Sequence, residues 1–288
     1  MAHGLTPGFT DAHCHLWDLA ATPQEWIDPA TMSAIDRDFA VADLDGVLAE
    51  HGGRRAVLVQ ANNTLAETRF LLDAAAASTN DHVVVGWVDV AADVPAQLAD
   101  FEQHSAAERL VGVRHLAHVD PDPQWLARRD VVTGLKALAR AGMSFDLVVR
   151  AHQLPHAAIL AEQVPELRLV LDHLGNPPAE GSARQQWGAD LQRLAQYPNV
   201  AAKVSGLEPA SGASERALTA VDATVDIALE TFGPTRLMFG SDWPLVRLSD
   251  GGYAGWLERV RRATAALSAN ERGHIFSGTA QTFYGIAL

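Results

Sequence analysis

Asp11-Ala12-His13-Cys14-His15, near the start of the chain, and Gly240-Ser241-Asp242-Trp243-Pro244, near its end, are the stretches that decide the fold. Each closes a short apolar run typical of a buried β-strand. Alternate residues of a strand point to the same face, so His13 and His15 present two imidazoles, the commonest metal-ligating side chain, toward one point. Asp242 places a carboxylate at the end of another strand. Such groups at the carboxyl ends of parallel strands predict a β/α barrel.

Apolar, β-rich runs alternate with helix-period stretches along the whole chain. The predicted strands are 9–12, 56–60, 83–90, 110–114, 144–149, 167–171, 200–204 and 237–240. Eight strands that alternate with helices imply a parallel sheet, and that number implies closure. We therefore predict the α/β class, as a single TIM-like (β/α)8 barrel in one domain over residues 1–288. Two segments, 22–39 and 177–186, are predicted as long loops, which in barrels are usually lids or substrate walls.

The composition excludes several classes of function. The chain has 288 residues, of which 48% are hydrophobic, enough for one large core. Its formal net charge of −13 argues against binding to nucleic acid and to an anionic membrane surface, because both require a basic face. No apolar run approaches the roughly 20 residues that span a bilayer. A single cysteine, Cys14, and a start without a signal-peptide pattern lead us to expect a cytoplasmic protein.

Further histidines follow the middle strands. His173 comes directly after the run Leu-Arg-Leu-Val-Leu-Asp and precedes a Gly-Asn-Pro-Pro turn. His152 lies past the end of strand five and is as easily a loop histidine as a ligand. Neutral imidazoles with a carboxylate can hold one divalent ion with a position left open. We expect one such ion, zinc by preference, on His13, His15, His173 and Asp242. The ion would polarise a carbonyl or activate water, and Asp242 would act as the general base.

Several strings together resemble one enzyme family. These are DAHCH at 11–15, GVRH at 112–115, FDL at 145–147, LDHLGNP at 171–177, KVSGL at 203–207 and FGSDWP at 239–244. They are similar to motifs of the amidohydrolase superfamily, in the lactonase group that acts on L-fuconolactone, rhamnonolactone and 2-pyrone-4,6-dicarboxylate. The resemblance covers nearly the whole chain and implies a β/α barrel that hydrolyses a lactone. It implies metal or catalytic roles for His13, His15, His173 and Asp242, with Arg114 and Lys203 near the substrate.

The substrate is left open between two kinds of lactone. A carboxylated pyrone calls for several arginines, whereas a neutral sugar lactone calls for amide and aromatic side chains. The available rim residues favour an aldonolactone, and those predicted to bind it are Asn62, Trp87, His115 and Trp17. Two different functions also fit such a barrel, a metal-dependent decarboxylase and a non-catalytic ligand-binding protein. The roles of His118 and His152 and the formation of a homo-oligomer are also left open.

Overall fold

Eight parallel strands form one sheet in the order of the chain. The computed structural model describes residues 8–286, so residues 1–7 and 287–288 of the predicted domain lie outside it. The strands are β1 Phe9–Cys14, β2 Gly53–Val59, β3 Val83–Gly86, β4 Leu110–His115, β5 Ser144–Leu147, β6 Arg168–Leu171, β7 Val200–Val204 and β8 Leu237–Phe239. Each strand pairs in parallel with the next one. The predicted (β/α)8 barrel is therefore confirmed.

The seam between the last and first strands is closed by backbone hydrogen bonds next to the two motifs. Asp242 N donates to the carbonyl oxygen of His13 over 2.9 Å, and His15 N donates to that of Trp243 over 2.6 Å. Cys14 and Trp243 form a parallel bridge. The closure therefore places the His13–His15 pair beside Asp242.

Helices surround the sheet, and the last of them also contributes side chains to the barrel interior. They are α1 Val41–His51, α2 Leu65–Ala77, α3 Val94–Glu102, α4 Arg129–Arg140, α5 Leu154–Gln163, α6 Gly181–Leu194, α7 Glu215–Phe232, α8 Gly252–Ala263, α9 Ala269–Gly273 and α10 Thr279–Tyr284. Several begin at side-chain caps, such as Thr64 before α2 and Ser214 before α7, which satisfy backbone N–H groups that the helix leaves free. Among the described residues no helix is long and apolar enough to cross a membrane.

Two predicted boundaries were wrong by about four residues or more. β3 ends at Gly86 rather than at residue 90, because Trp87 N donates to Thr68 Oγ1 over 2.7 Å instead of continuing the strand. The predicted loop 177–186 is largely the first turns of α6, which begins at Gly181. The other predicted long loop runs between β1 and α1, and its ends are tied by an antiparallel bridge between Trp17 and Phe39.

The interior of the barrel has an apolar lower part and a charged upper part. Small and branched side chains of the strands form a separate cluster that Phe283 and Tyr284 of α10 join. Above it lie buried charged residues, among them Lys203, Asp146 and Asp172. The barrel thus presents its polar groups at the carboxyl ends of the strands, as the sequence predicts.

Candidate active site at the carboxyl ends of the strands

Three side chains from the first and last strand ends converge on one buried point. The Nε2 atoms of His13 and His15 are 3.1 Å apart. Asp242 Oδ1 lies 3.2 Å from Nε2 of His15 and 3.6 Å from Nε2 of His13. All three residues are buried. The structure therefore brings together three of the four predicted metal ligands.

The ring of His15 is oriented by the neighbouring strand. Its Nδ1 donates to the carbonyl oxygen of Val59 over 2.7 Å. Because a carbonyl oxygen only accepts, the proton is on Nδ1 and the Nε2 atom carries a free lone pair. Asp242 Oδ1 faces this lone pair and is itself buried without a hydrogen-bond partner among the described residues. Two acceptor atoms therefore face each other, an arrangement that a cation between them would satisfy.

The spacing of the three ligand atoms fits a tetrahedral metal ion. Nitrogen and oxygen ligands about 2.0–2.2 Å from zinc in tetrahedral geometry are about 3.3–3.6 Å from one another. The three distances here are 3.1, 3.2 and 3.6 Å. Two imidazoles and a carboxylate are also a ligand set that catalytic zinc ions use. The residues present therefore fit one divalent cation.

His173, the fourth predicted ligand, packs against this group. Its ring centroid is 4.6 Å from that of His13, and its Nδ1 lies 2.9 Å from Ser205 Oγ. His173 also forms a second possible metal group with His13 and Asp172. Asp172 is already paired with two cationic side chains, however, which leaves it little charge for a metal. The group of His13, His15 and Asp242 is the better site.

Burial and the neighbouring charges set the protonation states at this point. Burial lowers the pKa of His15 and holds that of His13 well below its ordinary value, so both rings are neutral near pH 7. Burial alone would raise the pKa of Asp242, but His173, His15 and His13 together bring it below its ordinary value. Neutral imidazoles and an ionised carboxylate are the forms that bind a metal ion.

Two of the site residues have left-handed backbone conformations. His173 has a φ of 53° and Asp242 a φ of 59°. Residues with side chains rarely adopt such angles, and those that do cluster at functional sites. Gly206 makes room for His173, because a Cβ at this glycine would lie 2.3 Å from His173 Nδ1. The backbone is therefore strained at these two residues, and this conformation directs their side chains toward the site.

Asp11 connects the His13–His15 stretch to the stretch that carries Asp242 through hydrogen bonds. Its Oδ1 accepts from the backbone N–H groups of His13 and Ser241, and its Oδ2 accepts from the Tyr253 hydroxyl. Asp11 is fully buried, and burial raises its pKa. One carboxylate thus holds the first-strand histidines and the last-strand aspartate in register.

A buried ion network supports the site from the barrel interior. Lys203 Nζ lies 2.5 Å from Asp146 Oδ2 and 3.0 Å from Asp172 Oδ1. Arg114 Nη1 donates to Asp172 Oδ2 over 3.0 Å, and Tyr284 donates its hydroxyl proton to Asp146. Two cations and two carboxylates balance each other, so the group carries no net charge. Such pairing is what makes buried charges tolerable.

Lys203, which the resemblance places near the substrate, is fully buried in this network and is not among the cavity-lining residues. Its Nζ lies 3.1 Å from Nδ1 of His13, the ring nitrogen that also lies 3.2 Å from Asp172. Lys203 therefore contacts the site through His13 and Asp172.

A cavity of about 330 Å³ opens above these groups. Its polar lining residues are His15, Arg114, His118, His173, Asn176 and Asp242. Its apolar lining residues are Trp26, Ala61, Leu116, Val119, Val148 and Leu245. The size suits one small cyclic molecule. Arg114, predicted near the substrate, does reach this cavity.

The four residues predicted to bind the substrate do not line the cavity. Trp17 is fully buried, and its Nε1 donates to the carbonyl oxygen of Arg37. Asn62 donates to the carbonyl oxygen of Pro23. Trp87 donates to His115 Nδ1, while His115 Nε2 is 2.8 Å from Asp120, so the polar ring atoms of both residues are already used.

Two residues carried by loops line the cavity instead. Trp26 packs edge-on against Trp17 and lines the cavity from the β1–α1 loop. His118 reaches the cavity from the loop after β4. His152, the other undecided histidine, lies in a short turn before α5 and is not among the lining residues. No sequence spacing indicates Trp26, because an irregular loop carries it. His118 could have been found only as the second histidine after a strand end.

The chain matches known proteins along almost its whole length. Residues 10–286 match the protein family described as Amidohydrolase. The chain is 34% identical to the L-fucono-1,5-lactonase of Burkholderia ambifaria, over 96% of this chain and 95% of that protein. It is 26% identical to a 2-pyrone-4,6-dicarboxylate hydrolase of Comamonas testosteroni, over 85% of this chain and 80% of that protein. A crystal structure of an amidohydrolase from Burkholderia multivorans with bound zinc superposes with a TM-score of 0.88 at 32% identity, covering 97% of this chain and 100% of that one.

Proposed function

Because the chain belongs to the amidohydrolase family, we propose that it is a lactonase that opens a sugar lactone, such as L-fucono-1,5-lactone, to the corresponding hydroxy acid. The observation that carries the choice of substrate is the charge of the cavity wall. Arg114 is the one arginine or lysine among the lining residues, and Asp172 already neutralises it. A dicarboxylated pyrone would require unpaired cations there. A neutral ring with hydroxyl groups does not require unpaired cations in the cavity wall.

The other rim arginines are turned away from the cavity. Arg150 Nε donates to the carbonyl oxygen of His118, and Arg247 Nε donates to that of Ala34. Neither lines the cavity. The pyrone-type lactone named for the more distant relative is therefore the second candidate for this chain.

Asp242 has the position of the proton-transfer group in the reaction. Its ionised carboxylate lines the cavity and takes a proton from the water that attacks the lactone carbonyl. When the bond between the carbonyl carbon and the ring oxygen breaks, the same group returns the proton to that oxygen. The net change is the addition of one water molecule across the ester bond. Arg114 and His173, which both line the cavity, would stabilise the negative charge that develops on the carbonyl oxygen.

The cofactor in this proposal is one divalent ion, zinc by preference, held by His13, His15 and Asp242. When bound, the ion would supply Lewis-acid activation of water and of the ester carbonyl. Lys203 and Asp172 orient the His13 ring from behind, as outer-shell partners of metal ligands do. The cytoplasmic location belongs to the proposal as well, and the oligomeric state is left open.

The test is a panel of lactones followed with a pH indicator, since each ring opened releases one proton. We expect turnover of L-fucono-1,5-lactone and related aldonolactones well above the spontaneous rate. We expect little turnover of 2-pyrone-4,6-dicarboxylate. Faster turnover of the pyrone would reverse the order of the two candidates. Release of carbon dioxide from an aromatic carboxylic acid, without hydrolysis of any lactone, would show a decarboxylase instead.

A further inference from the structure

Ser205, directly after β7, carries a buried hydroxyl group with one hydrogen-bond partner. The residue is fully buried, so solvent does not reach it. Among the described residues its Oγ is within hydrogen-bond distance of one atom, Nδ1 of His173, at 2.9 Å. A hydroxyl proton that is buried without an acceptor is costly. The hydroxyl of Ser205 therefore donates its proton to Nδ1, and Nδ1 must carry a lone pair.

This hydrogen bond fixes the tautomer of His173. A neutral imidazole has one proton, which is on only one of its two ring nitrogens. Because Nδ1 accepts from Ser205, the proton of the His173 ring is on Nε2. With the proton on Nδ1 instead, that nitrogen would donate to Oγ, and the hydroxyl proton of Ser205 would have no acceptor among the described residues.

The Nε2 atom of His173 is the ring nitrogen that a ligand can reach. It makes no hydrogen bond to a described residue, yet it is not shielded from solvent. His173 lines the active-site cavity together with Arg114 and Asp242. With its proton on Nε2, the ring presents an N–H donor to this cavity. A carbonyl oxygen that gains negative charge is a group that such a donor stabilises.

The backbone around both residues supports the contact between them. His173 has a left-handed φ of 53°, and the residue after it, Leu174, is held by Trp187, whose Nε1 donates to its carbonyl oxygen over 2.8 Å. A Cβ at Gly206 would lie 2.3 Å from Nδ1 of His173. The absence of a side chain at Gly206 therefore leaves Nδ1 free to accept from Ser205.

We infer that Ser205 is a positioning residue for the reaction: it fixes the tautomer and the orientation of His173 and so makes Nε2 a hydrogen-bond donor to the lactone carbonyl oxygen. The part of this inference that concerns the carbonyl oxygen rests on the lactonase function proposed above. Ser205 is fully buried and is not among the cavity-lining residues, so it does not contact the substrate itself. Its effect on the reaction passes through His173.

Nitrogen-15 NMR of the purified protein, labelled at histidine, tests the tautomer directly. At about pH 9, above the ordinary pKa of imidazole, we expect Nε2 of His173 to have the chemical shift of a protonated nitrogen. We expect Nδ1 to have that of an unprotonated nitrogen that accepts a hydrogen bond. The two signals are assigned by their absence in His173→Ala. In Ser205→Ala the Nδ1 signal should move toward that of a nitrogen without a hydrogen bond.

A double-mutant cycle tests whether Ser205 acts through His173. On L-fucono-1,5-lactone we expect His173→Ala to lower kcat about 100-fold or more, the effect of a lost oxyanion donor, and Ser205→Ala to lower it about 10-fold. The change in KM should be modest, because the charge develops only in the transition state. In the His173→Ala background, Ser205→Ala should change kcat less than about twofold. A purely structural role of Ser205 would cost the same in both backgrounds.

Ser144→Ala is the matched control for the loss of a buried serine hydroxyl. Ser144 is also fully buried in the barrel, but it begins β5, at the end of the strands opposite the cavity. Its Oγ donates to the carbonyl oxygen of Val111 over 3.2 Å. The replacement of Ser144 should leave kcat unchanged.

The outcomes separate the inference from the proposed function. A proton on Nδ1 of His173 in the wild type would overturn the inference, and so would an equal loss, or no loss, from Ser205→Ala in both backgrounds; the lactonase function would stand. If the wild type opens no lactone, the proposed function falls together with the role at the carbonyl oxygen, and the NMR spectrum still decides the tautomer. If Ser205→Ala fails to fold, as circular dichroism would show, the spectrum of the wild type gives the answer.

Discussion

Replacing Asp242 by asparagine separates its role as a base from its role as a ligand. Asparagine keeps the shape of the side chain and an oxygen that can face the Nε2 atom of His15, now 3.2 Å from Asp242 Oδ1. It removes the negative charge and the ability to take a proton. Positioned proton transfer is worth about 10²- to 10⁴-fold in rate. We therefore expect kcat for the best lactone to fall at least about 100-fold, with a modest change in KM.

The assay is steady-state hydrolysis followed with a pH indicator, combined with elemental analysis of the purified variant. Metal content should fall only in part, because both histidine ligands remain. Asp250→Asn is the matched control. Asp250 is an exposed aspartate of the same segment, accepts a hydrogen bond from Gly212 N, and is not among the cavity-lining residues. Its replacement should leave kcat unchanged.

Near-native kcat in Asp242→Asn, with normal metal content, would refute the assignment of the base. His173 would then be the next candidate, since it lines the same cavity. A complete loss of metal together with activity would show a ligand role and leave the base unassigned. The two measurements together therefore distinguish the roles.

Four further predictions concern the packing around the site, the stability of the fold and the metal. Gly206→Ala places a methyl group against His173 Nδ1 at a position with a φ of +60°, so kcat/KM should fall about 100-fold, the effect of a catalytic group misplaced by about 1 Å. Lys203→Met leaves Asp146 with an unpaired buried charge, so urea unfolding should show a loss of about 3–5 kcal/mol. Burial lowers the pKa of His82 in the folded protein, so as the pH drops below about 6.5 the unfolded chain binds a proton at His82 before the folded protein does, and stability should fall. Thermal melts of His82→Asn, which keeps an acceptor for Ala56 N, should show a weaker dependence of stability on pH. Dialysis against a chelator should lower the melting temperature, and added zinc should restore it; an unchanged melting curve in both conditions would count against the metal site.

The sequence alone was sufficient for the fold and for the residues that converge at the ends of the first and last strands. Eight apolar runs separated by helical stretches can bury their surface in few other ways, and all eight strands were found near their predicted positions. The spacing of His13 and His15 fixes them on one strand end, where period-two geometry brings their rings within reach of each other. The apolar runs and the spacing of the two histidines are set by residues close together in the sequence, so the sequence pattern is enough to reveal them.

Which residues line the cavity was determined by the tertiary structure. Trp17, Trp87 and His115 have the residue types of a sugar-binding wall, but the packing of neighbouring elements occupies their polar atoms. Trp26 and His118 reach the cavity from loops whose paths are set by distant contacts.

Lys203 is a further case in which the sequence alone did not determine where a side chain points. Its place on β7 was visible in the sequence, but whether a strand-end side chain points up into the cavity or down into the barrel depends on its partners. Asp146 on β5 and Asp172 after β6 draw its ammonium group beneath His13. The linear sequence therefore determines which groups are available at a strand end. Only the closed barrel, which brings side chains from strands distant in sequence within about 3 Å of one another in charge-assisted contacts, determines which of them face a substrate.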